Sequence, residues 1–539
     1  MSEKPNILWI SFEDTNPYYG CYGDRVARTP NLDVLAAQGC LWTHCFSTAG
    51  VCAPARSAVI TGMYPISIGT HHMRTTHRNA DTPELPTPYS AVVPHYVKCF
   101  SEYLRAAGYY CTNNEKTDYQ FEPPLTAWDE LGPHAHWRNR RDPAQPFFAV
   151  FNPMRTHESG MWRESCALPE FDPGDMKIPP YFPDTPIVRE AMARMYTHIA
   201  RSDCELGALL QQLEDDGLAE NTYVFHWSDH GPLPRGKRWP YDSGIHVPLI
   251  VRGPGIDAGC TSAHLVSTID LGPTVLSLAG LEIPCHMQGR AFLGPRADRA
   301  REYVYASRDR YDESYDMVRA VRDRRFKYIR NYRPDLPYLL WVPYRNRHPI
   351  TQEIWRLHLA GELDGPQSLL FRYPRPVEEL YDTEADPHET SNLAADSTYA
   401  AELARLRGAL DAWLGEVGDM GEVSESEMVR RWYPEGRQPQ TAAPVLVPIC
   451  GDRPGIEPAP EGGSFEAPVL IQLHCATQGA SIAYTFESGD RPHWLLYTEP
   501  LRLEPGETVI RARAIRIGYR ESEESRAVFT IVAAETAGM

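Results

Sequence analysis

An α/β architecture built on a large, mixed but mostly parallel sheet flanked by helices follows from three features of the sequence. Short, nearly continuous apolar runs recur along its first half, helical patterns separate them, and acidic or imidazole residues stand where the runs end. The runs are NILWISF (6–12), FFAVFN (147–152), TYVFHWS (222–228) and VPLIVRG (247–253), each with the length and composition of a strand buried on both faces. Strands alternating with helices imply a sheet covered on both sides.

The segments between the runs carry helix boundaries. TPNLDVLAAQG opens on Thr-Pro and stops at Gly39; FSEYLRAAGYY stops at Gly108; AMARMYTHIARSDCELGALLQQLEDDG keeps apolar residues at helical spacing up to Gly217. GVCAPARSAVITG (50–62) raises its own question, because Cys52 stands two residues before Pro54 and four before Arg56. A buried structural thiol needs neither neighbour, so the spacing suggests either a reactive residue held on a stiff turn or an accident of sequence.

Further along, VEELYDTEADPHETSNLAADSTYAAELARLRGALDAWL (377–414) reads as a strand, a turn around Asp386-Pro387 and an amphipathic helix ending near Trp413. Gly, Pro and acidic residues then dominate to about 463, which is linker composition. Beyond it the chain alternates with period two between turn signals, predicting a small antiparallel β-sandwich; its segment ASIAYTFESGDRPHWLLYTEPLRLEPGETVIRARAIRIGYRES resembles the fibronectin-type or chitobiase C-terminal-like sandwich. The expected division is a main body over 1–375, a strand-plus-helix subdomain over 376–416, a linker over 417–463 and the sandwich over 464–539. A chain of 539 residues is too long for one compact core, in keeping with that division. Trp494 and Tyr497 are the sandwich's candidate sugar-stacking aromatics, although a packing role for the module is the plainer reading.

Composition narrows the function classes. Acidic residues outnumber basic ones, 71 against 53, for a formal net charge of −18, which argues against nucleic acid as a partner. The N-terminus, MSEKPNILWISFED, lacks a basic region followed by an apolar one, and no segment approaches eighteen consecutive apolar residues. The expectation is a cytoplasmic protein with no membrane association. Twelve cysteines without regular spacing look like reduced thiols rather than a disulfide or zinc framework.

Ligands of open α/β sheets bind beyond the carboxyl ends of the strands. There the first run ends in Glu13-Asp14 and the run 222–228 in Asp229-His230, two acidic pairs at equivalent places. Hard oxygen donors with one imidazole suit Ca²⁺ or Mg²⁺ better than zinc. Arg56, Lys116, His157, Lys237 and Arg238 bring positive charge and a proton donor to the same edge. That is equipment for transferring a charged tetrahedral group, whose oxyanion needs neutralising and whose leaving oxygen needs a proton.

These residues carry a family resemblance. CAPARSAVITG resembles the sulfatase signature C-x-P-x-R, and NILWISFED, TPNLDVLAAQG, YPISIGTHH, LRAAGYY, WSDHG, VPLIVRGPG, STIDLGPTVLSLAG and ELYDTEADPHETSNLA resemble sulfatase segments in sulfatase order. The chain is identified as a member of that formylglycine-dependent branch of the alkaline phosphatase superfamily over roughly residues 5–415. It looks most like the bacterial relatives of heparan N-sulfatase. The resemblance implies that a formylglycine-generating enzyme converts Cys52 to formylglycine, whose hydrate supplies the nucleophile, with Arg56 holding it. It further implies metal ligands Glu13, Asp14, Asp229 and His230, with Ca²⁺ preferred to Mg²⁺, sulfate-binding Lys116 and Lys237, and His157 as proton donor to the leaving group. Glu13 stands where Asp is usual and His230 where Asn is usual. Lys116-Thr117-Asp118 replaces the usual K-x-H, so Asp118, or His71 or His72 from GTHHMR, is the candidate substitute for the missing histidine; with Arg238 these form the expected substrate-contacting set.

The implied activity is hydrolysis of a sulfate ester or sulfamate on a small anionic substrate, a sulfated sugar. Phosphodiester or phosphonate monoester hydrolysis on the same machinery is the alternative, and a silent glycan-binding protein with an unmodified Cys52 is the reading from another class. A homo-oligomer is left open.

Overall fold

The computed structural model describes residues 4–78, 82–450 and 462–533. Strands β1 (Asn6–Phe12), β2 (Cys40–Phe46), β3 (Tyr110–Asn114), β4 (Glu130–Leu131), β5 (Phe147–Phe151), β6 (Thr222–Ser228), β7 (His246–Arg252), β8 (Cys260–Ser262) and β9 (Val266–Ser267) form one nine-stranded sheet. Its order is β4-β3-β5-β1-β6-β7-β2-β8, with β9 also on β2. β1 runs parallel to both β5 and β6, whereas β7 is antiparallel to β6 and β2.

Every residue of β1 and β5 is buried, as their unbroken apolar runs require of central strands. Successive side chains of β1 enter different cores. Leu8, Ile10 and Phe12 pack with Val188 and Leu206 of the Pro186–Asp215 helix, while Ile7 and Trp9 pack with Val59, Phe100, Leu104 and Val275 from helices on the other face. The register matters for function. Ile10 pairs with Phe151 and with His226, and Asn114 with Phe151, so β1, β3, β5 and β6 finish side by side and their following residues share one edge.

A second, antiparallel sheet contains β10 (Val304–Arg308), β11 (Val318–Arg322), β12 (Phe326–Asn331) and β13 (Glu378–Asp382) in that order. The Ala400–Val417 helix covers it through Leu406, Leu410 and Trp413, which meet Tyr328, Leu380 and Tyr64. The expected boundary at 375 therefore falls inside a sheet, because β13 takes its backbone partners from β12.

At the C-terminus, β14 (Val445–Cys450), β15 (Gly462–Glu466), β16 (Val469–His474), β17 (Ser481–Thr485), β18 (Leu495–Leu496), β19 (Leu501–Leu503), β20 (Gly506–Ile515) and β21 (Ser525–Val532) make two small sheets. They enclose a core of Ile471, Leu473, Ile510, Phe529 and Ile531. The expected linker over 417–463 departs from its composition: it contributes a helix, Glu425–Trp432, and β14, which pairs with β16; residues 451–461 lie outside the described residues. Lys98 donates to the Gly479 carbonyl at 2.6 Å and Arg105 to the Trp494 carbonyl at 2.6 Å, while Ile517 joins the main core, so the module is packed onto the body. Trp494 lies beneath Arg511 and Arg513, and the Tyr497 hydroxyl accepts from the Leu473 N–H, so both aromatics are engaged within the module.

Cys40 and Cys260, on paired strands β2 and β8, form a disulfide across 220 residues of sequence. The expectation of reduced thiols throughout is corrected there, since only strand pairing brings them together. Among the described residues no helix is long and apolar enough to cross a membrane.

Ile10 is fully buried at the centre of the sheet. Ile10→Ala is expected to destabilise the main body by about 2–5 kcal/mol. Denaturant unfolding monitored by tryptophan fluorescence checks this; a loss under about 1 kcal/mol would contradict the packing.

Candidate active site

The Cys52–Thr61 helix begins at the end of the sheet with every residue buried. Gly50 lets it approach: a Cβ there would lie 2.5 Å from the Trp239 carbonyl oxygen. Arg56, one turn into the helix, reaches three strand ends at once. Its Nε donates to Asp229 Oδ2 at 3.0 Å, its Nη1 to Asn152 Oδ1 at 3.0 Å and its Nη2 to Glu13 Oε1 at 2.7 Å. The guanidinium thus ties the helix to the ends of β6, β5 and β1.

Glu13 gives its other oxygen to Lys116 Nζ at 2.7 Å. Burial would raise the Glu13 carboxyl, but Lys116 and Arg56 outweigh it and hold the group ionised. Asp14 leaves β1 with φ of +44°, a left-handed turn that aims its carboxylate along the edge. Its Oδ2 takes Lys237 Nζ at 2.5 Å and the Glu158 N–H at 2.7 Å, and its Oδ1 faces His230 Nε2 at 3.1 Å. Asp229 Oδ1 accepts from the backbone N–H of both Asp14 and His230 at 3.0 Å.

Cys52 closes this group. Its Sγ lies 3.1 Å from His230 Nε2 and 3.9 Å from Asp14 Oδ1. Burial pushes the thiol well above its ordinary value, against the pull of Lys116 and Lys237, so the side chain is a thiol and a poor sulfur nucleophile at neutral pH. His230 Nδ1 is 3.0 Å from the Gly231 carbonyl, to which it donates, so in the neutral ring the lone pair is on Nε2. That lone pair faces a carboxylate oxygen of Asp14, with Asp229 Oδ2 at 3.9 Å. Electron-pair donors converging in a buried place need a cation between them, so Asp14, Asp229, His230 and residue 52 fit a divalent metal. Glu13, with its two oxygens on Arg56 and Lys116, forms a second such group with Asp14 and His157, which shares Asp14 with the first.

On the far side, His157 Nε2 lies 3.4 Å from Lys237 Nζ. Burial, then Lys237, lowers His157 below its ordinary value and keeps it neutral in the empty pocket. Arg238 forks onto Glu158 at 2.7 and 3.1 Å and donates to the Tyr311 hydroxyl at 2.9 Å. It holds Glu158, which in turn bonds Lys237 at 3.1 Å.

Asp118 sits 3.3 Å from Lys116 with a side chain 40% exposed, and His71 and His72 are both buried. The two rings are tilted against each other with centroids 4.2 Å apart, and His72 Nδ1 accepts from the Arg310 N–H, in a layer anchored by the Arg310–Glu425 pair. Asn152, Glu158 and Tyr311 were absent from the predicted set. Asn152 directly follows a buried run, a position the strand-end rule selects; Tyr311 has no local signal, because it arrives from the second sheet's loops.

Comparison with known proteins adds the following. The family model described as Sulfatase matches residues 5–129 and 112–281, and that described as N-sulphoglucosamine sulphohydrolase, C-terminal, matches 230–341. An ulvan-active sulfatase of Formosa agariphila is 43% identical over 97% of this chain and 91% of its own. Human N-sulphoglucosamine sulphohydrolase is 29% identical over 77% of this chain and 90% of its own. A solved structure in complex with its substrate D-glucosamine-2-N,6-O-disulfate shares the fold, with a TM-score of 0.55 and 19% identity over 78% of this chain and 100% of that one.

Glu158 is fully enclosed by Arg238 and Lys237, which hold its carboxyl well below the ordinary value of 4.5 despite burial. Because the folded value is the lower one, its contribution to stability is complete above pH 4.5 and is lost as pH falls towards the folded value. Glu158→Gln is expected to cost about 3–5 kcal/mol at pH 7, since it strands two buried cations, with a smaller difference at pH 3. Unfolding at both pH values reads it; an equal loss at both would contradict the ion-pair account.

Proposed function

The chain belongs to the sulfatase family and is an enzyme of sulfate ester or sulfamate hydrolysis, and we propose that its substrate is a sulfated saccharide attacked at residue 52. The observation that carries this reading is the meeting of Cys52 with His230 and Asp14 in a buried cleft whose walls are Arg56, Lys116 and Lys237. The names of the relatives, one ulvan-active and one acting on N-sulphoglucosamine, support a sugar sulfate as the substrate class.

Residue 52, oxidised to formylglycine by a formylglycine-generating enzyme, supplies a hydrate hydroxyl as nucleophile and a second hydroxyl through which sulfate is expelled. Asp14, Asp229 and His230 would hold a divalent cation, Ca²⁺ in preference to Mg²⁺, which when bound supplies positive charge to the sulfuryl oxygens.

The chain's own groups do the rest. Arg56 locks Glu13, Asp229 and Asn152 in place, so the acidic residues cannot swing to meet the incoming anion. Lys116, held by Glu13 and Asp118, and Lys237, held by Asp14 and Glu158, carry the charge that neutralises sulfate, each with a third N–H left for a sulfate oxygen. His157 is the proton donor to the leaving oxygen or nitrogen. A bound sulfate anion offsets the field of Lys237 and raises the affinity of His157 for its proton, so the acid is charged when substrate is present.

Cys52→Ala is expected to lower kcat/KM by at least ~10³-fold with Tm preserved; retained activity would end the nucleophile assignment. His157→Ala is expected to spare an activated aryl sulfate while cutting turnover of a sugar sulfate by about 10²–10⁴-fold, and equal losses on both would remove the acid role. The substrate reading itself is checked by kcat/KM for a sugar O-sulfate, N-sulfoglucosamine, an aryl sulfate and a phosphonate monoester, on enzyme of measured formylglycine content. A larger value for the phosphonate would overturn it.

A further inference from the structure

Behind the wall formed by Arg238 and Glu158 lies a buried layer of arginines whose charges do not balance. Arg238 has Glu158 as its partner. Arg308 and Arg375 share Asp316, at 3.2 and 2.7 Å. Arg345, on the short Pro343–Asn346 helix, is 1% exposed and has no carboxylate. Among the described residues none of its three guanidinium nitrogens finds a hydrogen-bond acceptor.

Its surroundings make the omission costly. Arg308 Nε and Nη1 and Arg238 Nε are likewise buried without acceptors. Burial, then the fields of Arg238 and Arg308, push the Arg345 guanidinium down to about 9, and burial pushes Arg308 down to about 10. His348, in the following turn, takes the Ile350 N–H on Nδ1, so its proton sits on Nε2, which is buried and also unpartnered. An unpaired buried cation is far more expensive than a paired one, and a guanidinium rarely releases its proton to escape that cost. The layer therefore has donors and positive charge in excess and lacks an acceptor bearing negative charge.

We propose that Arg345 and Arg308 bind a small inorganic anion of halide size, sealed in the protein behind the active site. The occupant is small because Arg345 is closed to solvent, and anionic because Arg345 has no carboxylate within ion-pairing distance among the described residues while Arg308 shares its one with Arg375. By compensating Arg345, the anion leaves Glu158 committed to Arg238 and Lys237, and so keeps Lys237 aimed at the catalytic cleft. The inference is independent of which sulfate the enzyme cleaves.

The test uses full-length enzyme purified and stored throughout in chloride-free gluconate buffer. Adding chloride at constant ionic strength is expected to raise Tm by about 1–3 °C per tenfold increase once binding begins. Arg345→Met is expected to abolish that dependence. In crystals grown with sodium bromide, an anomalous peak is expected within hydrogen-bonding distance of the Arg345 guanidinium. A Tm indifferent to chloride, a dependence that survives in Arg345→Met, or bromide found only at Lys116 and Lys237 would each overturn the proposal. If Arg345→Met fails to fold, the wild-type titration and the bromide map decide: both positive results sustain the anion site, and either negative result rejects it.

Discussion

The guanidinium of Arg56 is the contact on which the rest of the site depends. One planar group with donors in a fixed fork spans Glu13, Asn152 and Asp229, and so joins three strand ends to the helix that carries Cys52. A lysine, with a single charged atom, could not hold three acceptors in one plane. The parallel register of β1, β5 and β6 makes the arrangement reachable, since it delivers those three residues within one side chain's span.

Around that contact, charge is compensated in layers. Glu13 is shared between Arg56 and Lys116, Asp14 takes Lys237, and Glu158 joins Lys237 to Arg238. Each carboxylate is pulled below its ordinary value despite burial because cations lie within hydrogen-bonding distance. In a chain of net charge −18, this edge thus sets four cations, Arg56, Lys116, Lys237 and Arg238, against four carboxylates, Glu13, Asp14, Asp229 and Glu158. The Arg345 layer continues the pattern outward and is the place where the protein's own carboxylates run out.

The accessory elements serve the same edge. The second sheet supplies Tyr311 and Arg308 from its loops and strands, and the Glu425–Trp432 helix holds Arg310 through two short bonds from Glu425, fixing the layer that contains His71 and His72. The C-terminal sheets grip the body through Lys98, Arg105 and Ile517, with Trp494 and Tyr497 turned to internal contacts. Their arrangement is that of a module packed against the catalytic body, and its cost falls on the aromatic residues a sugar-binding face would have exposed.

The sequence by itself determined the sheet's central strands, the helices between them, the position of the nucleophile and the family. Those features are written locally: an apolar run reads as a buried strand, a glycine stops a helix, and C-x-P-x-R occupies consecutive residues. Residues that directly follow a strand, such as Asp14, Asp229 and His230, were legible for the same reason. Only the tertiary structure decided that Glu13 is braced by Arg56 and Lys116, that His72 accepts from the Arg310 N–H, that 417–450 folds onto its neighbours, and that Cys40 meets Cys260. Each of these depends on which partner arrives from a distant part of the chain. Composition and spacing carry no record of that, because a side chain's charge and length state what it can bind, while strand register and helix packing select what it does bind.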